Sequence, residues 1–204
     1  MGLDADRQTG RRAIVVAAVT LCLGCGSAPV RAQDLDSAVE ALWAAAPGDE
    51  ADDAVESILA LDPDIGPLFT RVRAGAVYDP DAPRGRQVLS RENAEGVEFR
   101  YEVHVPEAYD ATRRYPVHVY LHGGVSRPRR EEARFWRNTD RHVRDDAIVV
   151  FPESWAEAMW WQANQIENLA GMLNDLKRRY NVNENAVHLM GVSDGATGVF
   201  SHAF

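Results

Sequence analysis

Two rhythms of hydrophobic and polar positions divide the chain. Across residues 34–75 the apolar residues recur at three- and four-residue spacing: Val39, Leu42, Trp43 and Ala46, then Val55, Ile58, Leu59 and Leu61, then Leu68, Phe69 and Val72. That period predicts short amphipathic helices. Ser37, with Glu40 three positions on, has the form of a capping box and predicts the first helix start. "APGDEADD" interrupts the pattern, and Pro67 can open a third helix. From residue 86 the rhythm shortens. "QVLS" is short and extended, and "VEFRYEVHVP" alternates as a half-buried strand does. "PVHVYLHGG", "AIVVFP" and "AVHLMG" are apolar runs of the kind that fill a sheet buried on both faces. Between them, "EEARFWRNTDRHV" (131–143) and "NQIENLAGMLNDLKRRY" (164–180) predict helices. In the second, Ile166, Leu169, Ala170, Leu173 and Leu176 form the apolar stripe. Strands alternating with helices predict an α/β domain with a mostly parallel sheet flanked by helices.

Three segments follow from these patterns: 1–32, 33–77 and 78–204. The first has the form of an export signal. Arg11 and Arg12 lead into "AIVVAAVTLCLG", and Val30 and Ala32 suit cleavage after Ala32. The apolar run is shorter than the roughly 20 residues that a membrane span needs. No stable span is expected apart from this signal segment. The arginine pair is also a weak twin-arginine signal. The expectation is export, to the periplasm or the extracellular space. The alternatives are a lipoprotein anchored through Cys25 of "LCLGC", or a retained anchor. Both cysteines, Cys22 and Cys25, lie in this segment, so cleavage would leave no thiol for a disulfide or a metal. Residues 33–77 read as an acidic helical appendage, and "YDPDAPRGR" (78–86) as a linker.

Composition narrows the partners. Apolar residues make up 46% of the chain and charged residues 26%, the profile of a globular protein rather than a disordered one. A net charge of -9 argues against a nucleic-acid partner. No set of His, Cys and carboxylates has metal-ligand spacing.

The candidate chemistry sits at the end of the last strand. Gly191, Ser193 and Gly195 have the spacing G-x-S-x-G. The spacing alone is weak, and its context gives it weight. A nucleophilic serine is presented on a tight turn between a buried strand and a helix, at the carboxyl edge of the sheet. "AVHLM" supplies the strand and "DGATGVFSHAF" the helix. Acyl transfer also needs fixed N–H groups facing the carbonyl oxygen where negative charge develops. The residue after the nucleophile provides one, here Asp194. The other comes from the loop after the third strand, where "LHGG" places Gly123 and Gly124, with Gly124 preferred. "FPESWAEAMWW" puts Glu153, Trp155, Trp160 and Trp161 at the same edge. With His122, the three tryptophans are candidates for lining an acyl pocket. The alternative for the tryptophans is core packing beneath a cap.

On these motifs the chain resembles the N-terminal half of an α/β-hydrolase, in the branch of secreted esterases and poly(hydroxyalkanoate)-depolymerase-like enzymes. The likeness covers residues 86–204. "RYPVHVYLHGG" and "NENAVHLMGVSDGATG" carry it, with "YEVHVP" in support. It implies a serine hydrolase that cleaves carboxylic esters, small or polymeric, without a cofactor. Asp194 departs from the Met, Gln or Ala of many relatives, and its carboxylate would oppose an oxyanion unless it points away. Ala196 stands where many relatives have glycine.

The resemblance also implies the chain order serine, acid, histidine. His202 follows Ser193 by nine residues, in the helix behind the elbow. His104, His118, His142 and His188 fall within strands or a helix, Glu153 precedes the serine, and His122 is implied to shape the oxyanion loop. The expectation is therefore a copy truncated after the elbow, without its acid and base. Its apolar strand edge would be exposed, leaving the piece poorly soluble and inactive alone. Two other functions fit the same elbow: a prolyl-oligopeptidase-like serine peptidase, and a catalytically dead hydrolase fold acting as a binding module.

Overall fold

The structure is a computed structural model and describes residues 27–203 except Arg134. Three helices come first: α1 (Ser27–Ala44), α2 (Asp49–Ala60) and α3 (Ile65–Ala74). Leu35, Val39 and Ile58 form their small core, joined by Leu42, Leu61, Leu68 and Val72. Arg71 ties α3 to α1 through Asp36 and Glu40. Val55, Leu59 and Phe69, which also recur at helical spacing, are exposed. So small a cluster offers each helix only one inward face. Ser37 is not the helix start. It lies inside α1, where the backbone amides it could cap already belong to the helix. α1 also runs unbroken through Ala32. The rest of the expected export signal, residues 1–26 with Cys22 and Cys25, lies outside the described residues.

The main domain is an α/β unit built on a five-stranded sheet in the order β1-β2-β4-β3-β5. Its strands are β1 (Gly85–Glu92), β2 (Glu98–Val105), β3 (Tyr115–Leu121), β4 (Ile148–Pro152) and β5 (Val182–Gly191). Helix α4 (Ala163–Arg179) joins β4 to β5, and α5 (Asp194–His202) follows β5. β4, β3 and β5 are parallel. The expectation that "AVHLMG" is buried on both faces does not hold: β5 is an edge strand with a neighbour on one side only, and Val182 is its one buried residue. β1 and β2 form a hairpin that joins this block antiparallel through β4. β4 is central, and all five of its residues are buried.

One face of the sheet packs Tyr101, Val103, Val117, Val119, Leu121 and Val150 against Leu169, Met172 and Leu176 of α4. Fully burying a side chain of this size contributes about 1.5–3 kcal/mol. α4 is rotated relative to its apolar stripe: Ile166 and Ala170 are exposed, while Gln165 and Asn168 are buried. The cause is polar. The Gln165 side-chain amide donates to the Glu153 carbonyl at 2.9 Å, which draws that side of the helix inward.

Residues 131–143 do not form the predicted helix. Among the described residues of this stretch only a 3-10 turn, Thr139–His142, is present, and Asn138 before it is left-handed at φ 54°. Tertiary contacts override the local propensity. Trp136 packs edge-on to Tyr120 and donates its indole N–H to His142 Nε2 at 2.9 Å, flattening the segment onto the other sheet face. On that face Glu102 is buried, with Arg86 and His104 each 2.6 Å from its carboxylate.

Candidate active site

β5 ends at Gly191, and the Val192 N–H still bonds to the Leu121 carbonyl of β3 at 3.3 Å. The chain then reverses within one residue. Ser193 sits at φ 54°, ψ -123° and is the N-cap of α5. Its carbonyl accepts from the Ala196 and Thr197 amides at 2.8 and 3.2 Å, and the Gly195 amide bonds to Val192 at 2.9 Å. The serine side chain is exposed at the carboxyl edge of the sheet. A non-glycine residue in this conformation stores on the order of 1–3 kcal/mol and persists only where its surroundings impose it.

The surroundings do so by close approach. A Cβ on Gly195 would run into the Leu121 carbonyl, so α5 lies directly on the end of β3. Gly198, one turn on, makes room for Trp160: an added Cβ there would stand 2.5 Å from the Trp160 Cβ. Trp160 is fully buried and donates its indole N–H to the His122 carbonyl at 2.8 Å. The elbow helix, the tryptophan and the loop after β3 are thus interlocked.

That loop runs beside Ser193. A Cβ on Gly123 would be 2.9 Å from the Ser193 Cβ. Gly124 follows at φ 71°, in the left-handed region that favours glycine. The Val125 N–H donates to Asp194 Oδ2 at 3.0 Å. The Asp194 carboxylate is therefore turned to this amide, which answers the concern that it would oppose an oxyanion. The Asp194 N–H is the first of α5, one of the donors that a helix start leaves without an intrahelical acceptor.

His122 shapes this loop. Its Nε2 accepts the Ser154 N–H at 3.2 Å, which leaves the proton on Nδ1, 3.0 Å from the Gly123 carbonyl that accepts it. The remaining histidines are held elsewhere. His202 reaches the Trp160 carbonyl at 3.0 Å, His104 pairs with Glu102, His142 with Trp136, and His118 packs edge-on to His188. Among the described residues, Ser193 makes no side-chain hydrogen bond to a histidine.

The predicted pocket residues separate. Trp160 lies beneath the elbow. Trp155 is nearly buried, with its ring against Phe99 at 5.1 Å and the Arg129 guanidinium over it at 4.4 Å. Trp161 is open to solvent. Two residues and one role escaped the sequence reading. Gly198 is one, and its only signal is a third glycine three residues after Gly195. Ser154 is another, holding His122 through its amide. The role is that of Glu153, which the sequence places at this edge and the structure buries at the head of the loop after β4. It takes Arg100 at 3.0 Å and Arg129 at 2.5 Å, and this ion pairing holds the Arg100 guanidinium above its ordinary pKa. Among the described residues, no group of three or more His, Cys, Asp or Glu could hold a metal, and no helix is long and apolar enough to cross a membrane.

Neither a family model nor a curated protein matches the sequence. Among solved structures, the chain is similar to a thermostable esterase, at 20% identity and a TM-score of 0.45, over 57% of this chain and 36% of that one. It is also similar to a CE1 ferulic acid esterase from Anaeromyces mucronatus in complex with ferulic acid, at 20% identity and a TM-score of 0.40, over 55% and 50%. The same esterase without substrate gives 17% identity and a TM-score of 0.36, over 55% and 51%. The chain thus spans 36–51% of the length of these structures.

Proposed function

We propose that the chain carries the nucleophile of a serine hydrolase that cleaves carboxylic esters. The observation that carries this is Ser193, forced to φ 54°, ψ -123° between the end of strand β5 and helix α5, with the Gly123–Gly124 loop against it. Ser193 Oγ attacks the ester carbonyl and its proton passes to a base. The resulting oxyanion accepts hydrogen bonds from the Asp194 and Gly124 amides, each such donor contributing on the order of 3 kcal/mol to the transition state. The C–O bond breaks, the alcohol leaves with the proton, and water hydrolyses the acyl-enzyme to the free acid. The base and the acid that orients it come from outside residues 27–203, because each described histidine is held elsewhere. The two quoted motifs support a place among secreted, poly(hydroxyalkanoate)-depolymerase-like esterases, and residues 1–32 support export.

Hydrolysis of 4-nitrophenyl butyrate and of a peptide 4-nitroanilide tests this, with Ser193→Ala as control. The comparison uses the 204-residue chain and the chain extended by its coding sequence past Phe204. The extended chain should hydrolyse the ester, and Ser193→Ala should abolish that activity. A fluorophosphonate should label the shorter chain only slowly. Preferential amide cleavage would favour the peptidase, and an unaffected Ser193→Ala variant would remove the serine from the mechanism. Rapid stoichiometric labelling of the shorter chain would show that it already holds a base.

A further inference from the structure

The charge of the loop beside the site is opposite to that of the molecule. The chain carries a net charge of -9, yet residues 126–130 hold three arginines and no acidic residue. This segment leaves the sheet directly after the oxyanion loop. Gly124, Arg127, Arg129, Arg130, Glu153 and Trp155 line one niche at the carboxyl edge of β3 and β4.

The niche is a fixed one. Buried Glu153 takes Arg100 and Arg129, and Arg129 also covers Trp155. Arg100 reaches on to the carbonyls of Arg130 and Glu131 at 3.1 and 2.6 Å. The Ala156 amide donates to the Arg127 carbonyl at 2.9 Å. The backbones of Arg127 and Arg130 are thereby pinned, while their side chains are exposed. Among the described residues, neither guanidinium has an acceptor or an ion pair, although Glu131 and Glu132 follow directly in sequence. Arg127 lies three residues past Gly124. An ester whose carbonyl oxygen meets Gly124 would extend one arm along this loop. A planar guanidinium fork matches a carboxylate, and a low-dielectric wall such as Trp155 strengthens the attraction beside it.

We propose that the ester taken by this site bears a carboxylate of its own, bound by Arg127 and Arg130 while its carbonyl faces Ser193. The proposal rests on the hydrolase function of Ser193.

Two substrate pairs that differ in a single carboxylate test it, assayed on the extended chain. The 4-nitrophenyl hemiester of adipic acid against 4-nitrophenyl hexanoate places the charge on the acyl arm. 4-Carboxyphenyl hexanoate against 4-carbamoylphenyl hexanoate places it on the alcohol arm. In one pair the anionic member should be preferred by up to about 30-fold in kcat/KM at low salt, carried by KM, because two solvent-facing charge pairs supply no more than that. High salt should shrink the preference, and the double variant Arg127→Gln, Arg130→Gln should bring the ratio close to unity. Equal rates within both pairs overturn the proposal, and so does an anionic preference that survives the double variant. If no ester is hydrolysed, the hydrolase function fails on its own account. Binding then decides, by NMR titration with adipamate against hexanamide: tighter adipamate binding that the double variant loses sustains the carboxylate site, and equal binding overturns it.

Discussion

Replacing Ser193 by glycine should make the protein more stable, and replacing it by alanine should not. Three non-glycine residues have positive φ among those described: Asp62, Asn138 and Ser193. Asn and Asp tolerate the left-handed region. Ser193 differs from Asn138, at ψ 50°, in its ψ of -123°. That pair of angles matches the first central position of a type II′ turn, where glycine dominates. The strain is on the order of 1–3 kcal/mol. The exposed hydroxyl makes no hydrogen bond among the described residues, so its removal changes stability by no more than about 0.5 kcal/mol. Ser193→Ala keeps the Cβ and the strain. Ser193→Gly removes both, offset by roughly 0.5–1 kcal/mol for glycine's greater freedom when unfolded. Glycine should therefore exceed alanine by about 1 kcal/mol, which moves a urea midpoint by about 0.5 M at the m-values of small proteins. Both variants lack the Ser193 hydroxyl. Equilibrium urea unfolding of the three proteins reads the difference, and a glycine variant no more stable than the alanine variant would refute the idea that the elbow stores strain.

Gly195→Ala forces α5 off the Leu121 carbonyl and should destabilise the fold by about 3 kcal/mol, at the upper end for overpacking; thermal unfolding measures it. Asp194→Ala removes the acceptor for the Val125 amide, which should lower stability by about 1–3 kcal/mol and speed hydrogen exchange at Val125. Asp194→Asn, which keeps an oxygen there, should restore most of the protection, and identical exchange in all three proteins would contradict the contact. Burial pushes the Glu102 carboxyl up, but hydrogen bonds from His104, Thr139 and Arg86, with the Arg86 charge, outweigh it and hold the pKa below the ordinary 4.5. The folded pKa lies below the unfolded one, so this stabilisation is complete above the unfolded pKa and is lost as pH falls through the folded value. The stability gap between wild type and Glu102→Gln should therefore close in acid, as urea midpoints across pH can show. Glu153→Ala leaves Arg100 and Arg129 without their buried partner and should cost about 3–5 kcal/mol in urea unfolding.

The strands were legible as apolar runs: "AIVVFP" became β4, buried at every position, although "AVHLMG" became the edge strand β5, where such a run does not mean two-sided burial. The elbow was legible because G-x-S-x-G follows a strand and opens a helix. What the sequence hid was polar and distant. The rotation of α4 depends on Gln165 meeting the Glu153 carbonyl, and no hydrophobic period records that. The segment 131–143 has helical composition, but Trp136 and His142 pack on Tyr120 instead. Ser37 and Glu40 match a capping box inside a helix that begins ten residues earlier. The placement of the Asp194 carboxylate needed Val125, 69 residues away.

The strand order has a consequence for when the serine becomes unusual. β1 and β2 are neighbours in the chain and can pair early. β3 and β5 bring together residues as distant as His118 and His188, seventy positions apart. Closing so long a loop is entropically late in folding. Gly195 cannot press on Leu121, and Ser193 cannot be driven to positive φ, until that closure is made. A chain still emerging from the ribosome therefore carries a relaxed serine at position 193, and its positive φ is acquired only when β5 pairs with β3.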